Sequence, residues 1–228
     1  FTGQNSPFLK KTIEILLTLF IPSKRAHFIF LNKHDFEVYR ELRLINPSNY
    51  TFIKGSGVDS FDYLEHSPPK QGKIKIVCTA RMLKDKGIIE LNRASKRMYK
   101  TYNGKIEFHL YGGIDLDNPA SLQERELLEM NINNYFEWKG YTNKIKDVLK
   151  NCHIYCLPSY REGLPKSIVE AMAIGRPIVT TNSPGCEDCV VEAKNGFKVP
   201  IKDTNLLQEK LILLIEDKIL REKMGQES

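Results

Sequence analysis

From residue 74 onward the chain reads as an α/β protein, a parallel sheet with helices on both faces, and before that point as the tail of a second α/β unit. Two observations carry the reading. Short β-branched runs alternate with longer segments of helical period, the pattern of βαβ units. The composition, 41% hydrophobic and 27% charged over 228 residues, is that of an ordinary globular chain and excludes collagen-like, low-complexity and disordered classes.

Five strands can be read in order in the larger unit. Ile74–Ala80 is the first, and the helix after it begins near Gly87, with Ile88, Leu91, Ala94, Met98 and Tyr102 on one face. Ile106–Tyr111 is the second. A helix through Leu122, Leu127, Leu128 and Met130 leads to the third at Tyr135–Trp138, and Ile145, Val148 and Leu149 mark another helix. His153–Leu157 is the fourth strand. The helix Pro165–Ile174 carries Pro in its first turn and Gly175 just past its end, the expected start and stop asymmetry. Pro177–Thr181 completes the five, and a strongly helical segment closes the chain.

The smaller unit reads as an apolar helix Phe8–Phe20, a strand His27–Leu31, a helix Asp35–Leu44 and a strand Tyr50–Ile53. Gly55-Ser56-Gly57 and the Pro-rich stretch Ser67–Gly72 punctuate the passage to the larger unit, so the boundary is set at residue 57, giving units 1–57 and 58–228. The chain opens at Phe1 without Met and is about one and a half domains long, so it reads as part of a longer protein.

A formal charge of +6 and a pI of about 8.9 suit an anionic small molecule or lipid surface. The basic residues form no run or tail, which argues against nucleic acid. The apolar run Ile15–Ile21 is too short to span a bilayer, and no secretory leader pattern opens the chain, so the expected location is cytoplasmic. Lys10, Lys11, Lys24 and Arg25 beside the helix Phe8–Phe20 allow it to rest on an anionic membrane, although a core helix is the commoner use of such a pattern. Cys78, Cys152 and Cys156 lie in apolar strands and read as reduced, buried thiols. The pair Cys186-x-x-Cys189 lacks a second pair at zinc spacing, so no metal is expected there.

In an open parallel sheet ligands bind beyond the carboxyl ends of the strands. Arg81, then Lys86 and Gly87 at a helix start, follow the first strand. Two fixed cations beside unpaired backbone N–H groups suit a diphosphate, or else the segment is simply a solvated loop. Gly112-Gly113 follows the second, where a ligand can approach the backbone or the chain simply turns. Ser159-Tyr160-Arg161-Glu162-Gly163-Leu164-Pro165 follows the fourth, and Glu170 lies on the next helix among apolar neighbours, where a carboxylate needs a partner. Ribose hydroxyls would serve, as would a neighbouring Lys.

The run Glu162–Val179 resembles the E-x7-E signature of retaining GT-B glycosyltransferases of family four. Arg81, Lys86-Gly87, Tyr111-Gly112-Gly113, Pro184-Gly185, Asn195-Gly196-Phe197 and Val199-Pro200 support the resemblance in order, over residues 55 to about 217. It implies two Rossmann-like domains, the nucleotide-sugar donor in the C-terminal one, 58–228, and residues 1–57 as the end of an N-terminal acceptor domain. Arg81 and Lys86 would then hold the donor diphosphate, Gly112 and Gly113 would allow close approach, and Glu162 would meet donor-sugar hydroxyls. Gly163, Leu164 and Pro165 would present the helix N-terminus, Glu170 would bind ribose, and Tyr141 would lie near the base. The implied reaction moves a hexose or N-acetylhexosamine from a nucleotide sugar, with UDP the favoured carrier, to a saccharide or lipid-linked acceptor. It proceeds with retention, without metal or other cofactor, in bacterial surface polysaccharide synthesis. Phe1-Thr2-Gly3, Phe30–Asp35 and Gly55–Asp59 are similar to the acceptor-domain end of such enzymes.

Gly185-Cys186-Glu187-Asp188 departs from the family, which commonly carries a cation where Glu187 stands. Two other functions share this architecture, a UDP-sugar 2-epimerase, against which the E-x7-E spacing argues, and a non-catalytic nucleotide-sugar binding domain. Asp115-x-Asp117 matches a metal-binding D-x-D formally, but it reads as a solvated turn. His109 reads as a satisfied strand residue, while His27 and His34 are left open.

Overall fold

The computed structural model describes residues 7–21, 25–53, 55, 57–59 and 61–228, the side chains of 7–10 excepted. Phe1-Thr2-Gly3, the Lys10 side chain, Lys24 and Ser56 therefore lie outside the described residues. The chain divides into two compact units, Phe1–Ser56 and Gly57–Ser228.

The first unit contains α1 (Pro7–Phe20), β1 (Phe28–Phe30), α2 (Lys33–Glu41) and β2 (Tyr50–Phe52), with β1 and β2 paired in parallel. Asn32 starts α2, its Oδ1 accepting from the Asp35 amide at 2.8 Å. Aromatic rings fill the space between helix and strands: Phe36 lies 5.5 Å from Phe30, 4.8 Å from Tyr50 and 5.1 Å from Phe52 between ring centroids.

The second unit is a doubly wound sheet. Its strands are β3 (Ile74–Thr79), β4 (Ile106–Tyr111), β5 (Phe136–Trp138), β6 (Ile154–Leu157), β7 (Ile178–Thr181) and β8 (Gly196–Val199). They lie in the order β5-β4-β3-β6-β7-β8, every pairing parallel. Numbered within the unit this is 3-2-1-4-5-6, so the order reverses between β3 and β6, where such sheets open a crevice at their carboxyl edge. β6 and the Ile76–Cys78 stretch of β3 are continuous apolar runs because helices cover both faces, and Ile76, Val77, Cys78, Ile154, Tyr155, Cys156 and Leu157 are at most 1% exposed. In β4 the pattern alternates, with Ile106, Phe108 and Leu110 buried and Glu107, His109 and Tyr111 partly exposed.

The helices are α3 (Ile88–Tyr102), α4 (Glu124–Met130), α5 (Ile145–Lys150), α6 (Lys166–Ala173), α7 (Thr204–Glu216) and α8 (Lys218–Glu227). α3 packs beside α7, and α5 beside α6. α3 buries Ile88, Leu91, Ala94, Met98 and Tyr102, the face its spacing predicts. Leu122, expected inside the following helix, precedes it, because Gln123 and Glu126 form a capping box that starts α4 beyond it. The closing helical segment is two helices, broken at Asp217, whose Oδ1 caps α8 through the Leu220 amide at 2.8 Å.

One correction concerns the strand count, since the sheet has a sixth strand, β8, beyond the five expected. It is four residues long, opens on Gly196 and is closed by Pro200, so neither length nor period marks it in the sequence. Its glycine has a packing cause: a Cβ there would sit 2.0 Å from the Ile178 carbonyl oxygen on β7. Gly196→Ala is therefore expected to lower stability in urea by about 2 kcal/mol or more. Gly113→Ala, whose Cβ would find only the Tyr141 Cβ at 4.0 Å, should stay within about 0.5 kcal/mol of the parent.

Candidate active site at the carboxyl edge of the sheet

The loops that leave β3 and β6 are bound to each other across the point where strand order reverses. After β3 the chain passes Arg81 and forms a tight turn, Lys84–Lys86, that ends on Gly87 at φ 72°. A Cβ on Gly87 would stand 2.1 Å from the Pro158 carbonyl oxygen, so only glycine lets the turn press against the chain leaving β6. The Asp85 carbonyl then accepts from the Tyr160 amide at 2.8 Å and from Ser159 Oγ at 3.2 Å. This closure brings Lys86 Nζ to 2.6 Å from Glu162 Oε1, with both side chains largely buried, at 14% and 16% exposure.

The loop after β7 closes on the same place. The Pro184 carbonyl accepts from the Glu162 amide at 3.0 Å. Gly185, at φ 78°, comes so near that a Cβ would lie 2.3 Å from the Glu162 carbonyl oxygen and 2.5 Å from that of Gly163. Fully buried Ser159 joins the three loops: its carbonyl accepts from Ser183 Oγ at 2.9 Å and from Thr181 Oγ1, while its own hydroxyl reaches Asp85. Tyr155 Oη, 2.8 Å from Thr79 Oγ1, ties β6 to β3 just beneath.

The helix after Glu162 is α6, with Pro165 as its N-cap and Gly175 at φ 82° beyond its end. Leu164 packs on the core and Pro165 is buried. Ile168 and Ala171 anchor α6 and leave Glu170 12% exposed, its Oε1 accepting from Tyr63 Oη at 3.1 Å, with Lys166 Nζ at 3.8 Å. Burial first, and the Glu170 charge second, push the Tyr63 hydroxyl up to about 12, so it remains a donor at neutral pH.

At the end of β3, Arg81 is 61% exposed and bonds Asp115 at 2.6 Å, while Asp117 faces solvent in the turn after β4. Gly112 serves a neighbouring strand: at φ 153° its Cβ would fall 1.6 Å from the Ala80 carbonyl oxygen, which accounts for the glycine without a ligand. Its amide donates to Gly140 O at 2.9 Å, and Trp138 Nε1 donates to its carbonyl at 2.9 Å. Gly113 is not closely packed, and its carbonyl accepts from the Met82 amide at 3.0 Å. Tyr141 stands beside it, 80% exposed.

The structure thus brings Arg81, Lys86, Glu162–Pro165 and Glu170 to one edge, with Gly112, Gly113 and Tyr141 on the loops after β4 and β5. Sequence reasoning missed the partners: Tyr63 for Glu170, Asp115 for Arg81, and Ser159 as the joint. The only trace of Ser159 in the sequence is a small polar residue two places after a wholly apolar strand. All five cysteines are free and buried, and burial pushes Cys78 and Cys189 up to about 12, which leaves these thiols protonated. His109 is held below its ordinary pKa chiefly by burial, 3.3 Å from Glu107, and His27 Nε2 lies 2.8 Å from Thr51 Oγ1. Among the described residues no group of three or more His, Cys, Asp or Glu gathers as a metal site, and no helix is long and apolar enough to cross a membrane.

Comparison with known proteins gives a consistent result. Residues 60–228 match the family model described as Glycosyl transferases group 1. The chain is 33% identical over 211 residues to the N,N'-diacetylbacillosaminyl-diphospho-undecaprenol alpha-1,3-N-acetylgalactosaminyltransferase of Campylobacter jejuni, covering 87% of this chain and 54% of that protein. It is 33% identical over 146 residues to the capsular polysaccharide biosynthesis glycosyltransferase CapM of Staphylococcus aureus, covering 64% of this chain and 37% of that one. The chain therefore spans about half the length, or less, of these relatives. Among solved structures, Anabaena Alr3699/HepE in complex with UDP superimposes with a TM-score of 0.76 at 16% identity, over 95% of this chain and 60% of that one. At that identity the likeness speaks for the fold.

The two cations differ in how much the fold depends on them. Lys86→Met, which strands a mostly buried carboxylate, is expected to cost about 3 kcal/mol in urea unfolding. The double variant Lys86→Met/Glu162→Gln should recover much of that loss. Arg81→Met, which breaks an exposed pair, should cost less than about 1 kcal/mol.

Proposed function

The chain belongs to the group 1 glycosyltransferase family, and on that premise we propose that it supplies the donor half of a glycosyltransferase of bacterial surface polysaccharide synthesis. The reaction moves a hexose or N-acetylhexosamine from a nucleotide sugar, UDP-linked, to a saccharide or lipid-linked acceptor, with retention. The observation that carries this reading is the convergence of Lys86, Glu162 and the start of α6 where the sheet order reverses, with Arg81 and Glu170 on the same edge.

In this reading residues 58–228 bind the donor and residues 1–57 end the acceptor domain. Arg81 and Lys86 take the diphosphate. The exposed Arg81–Asp115 pair exchanges its carboxylate for a phosphate oxygen, since a planar guanidinium binds either one in the same geometry. Glu170, oriented by Tyr63, takes the ribose hydroxyls. Tyr141, exposed beside Gly113, packs on the base, and the α6 N-terminus with Gly163 and Leu164 faces the sugar-phosphate.

When transfer occurs, the bond from the anomeric carbon to the diphosphate oxygen breaks and one to the acceptor oxygen forms. The acceptor proton passes to the departing phosphate. Charge growing on that phosphate is stabilised by fixed cations and the helix N-terminus, without a metal or other cofactor. Glu162 is ion-paired to Lys86, which weakens it as a nucleophile and favours front-face attack over a glycosyl-enzyme ester. The apolar row Ile15, Leu16, Leu19 and Phe20, exposed on α1, favours peripheral contact with the cytoplasmic face of a membrane that carries the acceptor.

A thermal-shift series with UDP, GDP and ADP, each with and without EDTA, tests the donor site. UDP at a hundred times its Kd should add about 2.7 kcal/mol. The shift should be unchanged by EDTA and lost in Arg81→Ala and Glu170→Ala. Stabilisation by none of the three nucleotides would overturn the donor reading. In turnover by the whole enzyme, Lys86→Ala should lower kcat/KM by about a hundredfold or more.

A further inference from the structure

At the opposite, amino-terminal edge of the sheet lies a cavity of about 440 Å³ that the reaction does not use. It is bounded by the segment leading into β3, by the residues just before β6 and β7, and by α8. Its volume lies within the roughly 300–1,000 Å³ typical of small-molecule sites. The cations Lys70, Arg176, Lys218 and Arg221 line it against the carboxylates Glu65 and Glu222, a surplus of positive charge.

Two of those cations are built into the fold. Arg176 is 1% exposed and Arg221 is 8% exposed. Arg176 donates from Nε to Leu149 O at 2.9 Å and from Nη2 to Lys150 O at 3.1 Å, closing the end of α5. Arg221 donates from Nη1 to Leu214 O at 2.6 Å and Ile215 O at 3.2 Å, closing the end of α7. A guanidinium has five N–H donors, so carbonyls satisfy only part of each, and Arg221 Nε has no hydrogen-bond partner among the described residues. No carboxylate among the described residues lies within ion-pair distance, 4.0 Å, of either guanidinium. Buried charges are ordinarily paired with an opposite charge, and here two sit in one cavity with only carbonyls as direct hydrogen-bond partners, Glu65 acting on Arg176 and Glu222 and Asp217 on Arg221 from beyond ion-pair distance.

The walls are closely packed. A Cβ on Gly225 of α8 would lie 2.5 Å from the Gly175 carbonyl oxygen, so α8 is pressed against the turn that carries Arg176. Ser228 Oγ donates to Arg176 O at 2.8 Å. His153 is saturated, Nδ1 accepting from the Lys75 amide at 3.1 Å and Nε2 facing Pro69 O at 3.0 Å, so it adds a neutral polar wall. Lys218 is 3.7 Å from Glu222 and offsets it, while Lys70 stands on the rim.

We propose that this cavity binds a small dianion bearing a phosphate group, with Arg221 and Arg176 as its buried anchors and Lys70 and Lys218 as the rim. Three or four cations around a space of this size match the oxygens of a phosphate better than a single carboxylate, and Arg supplies the planar donor fork that phosphate accepts. The site is separate from the carboxyl edge, so it would bind its ligand whether or not a nucleotide occupies Arg81 and Lys86.

The test is a ¹H–¹⁵N titration that follows the arginine Nε–Hε and Gln226 amide resonances at fixed ionic strength. The probes are inorganic phosphate, glycerol 3-phosphate and sodium chloride. Saturable shifts at Arg221, Arg176 and Gln226 are expected with the two phosphates and not with chloride. They should persist in Arg81→Ala and weaken about tenfold in the rim variant Lys70→Ala/Lys218→Ala, whose exposed side chains the fold does not need. Vesicles of phosphatidylglycerol, compared with phosphatidylcholine, provide the contrast: rim-dependent binding to the former without saturation by glycerol 3-phosphate would overturn the proposal, because that headgroup is a phosphodiester monoanion and not a small dianion. Shifts confined to the loops around Arg81 and Lys86, shifts that chloride reproduces, or affinity unchanged in the rim variant would each overturn the proposal.

Discussion

The arrangement of the whole edge depends on one close approach, the packing of the turn at Gly87 against the chain leaving β6 at Pro158. α3 and α6 must depart from neighbouring strands toward opposite faces of the sheet, which is what makes the crevice. Left to themselves, two such loops would splay. They are held together because Gly87 has no Cβ, because Asp85 O receives both Ser159 and Tyr160, and because Gly185 closes the third loop onto Glu162 and Gly163. The Lys86–Glu162 pair is the chemical result of that backbone contact.

This has an electrostatic consequence. Each functional group already has a partner: Lys86 with Glu162, Arg81 with Asp115, Glu170 with Tyr63. A charged site so arranged is paired before any ligand arrives, and on the proposed reading a ligand enters by exchanging partners. The exchange is easiest at Arg81, which is exposed to water, and hardest at Lys86, whose pair is held in low dielectric. On the proposed reading, Arg81 is thus suited to capture and Lys86 to fixed stabilisation of charge.

The amino-terminal edge shows the same fold logic with a different outcome. There Arg176 and Arg221 satisfy carbonyls at the ends of α5 and α7, positions that favour a cation by the helix dipole. Both are held below the ordinary arginine pKa chiefly by burial, which outweighs the opposing pull of Glu65 on Arg176 and of Glu222 and Asp217 on Arg221. The sheet therefore carries cations at both edges, exchangeable at one and built into helix ends at the other.

The family and the class of fold were legible in the sequence because they rest on local signals. Strand and helix periods, Pro165 before α6 with Gly175 after it, and the spacing of Glu162 and Glu170 are all read from neighbouring residues. β8 escaped because a four-residue edge strand opening on glycine has no period, and its identity depends on pairing with β7. The use of Gly112 was likewise undecided, since a glycine admits a ligand or a backbone equally well until the Ala80 carbonyl is seen beneath it. What only the tertiary structure decided were the partnerships across long sequence separations: Lys86 with Glu162, Tyr63 with Glu170, Arg81 with Asp115, and two arginines sharing one cavity. The sequence determined which side chains the chain carries and on which element each sits. Where charges meet is fixed by strand order, and strand order results from non-local pairing that no local pattern encodes.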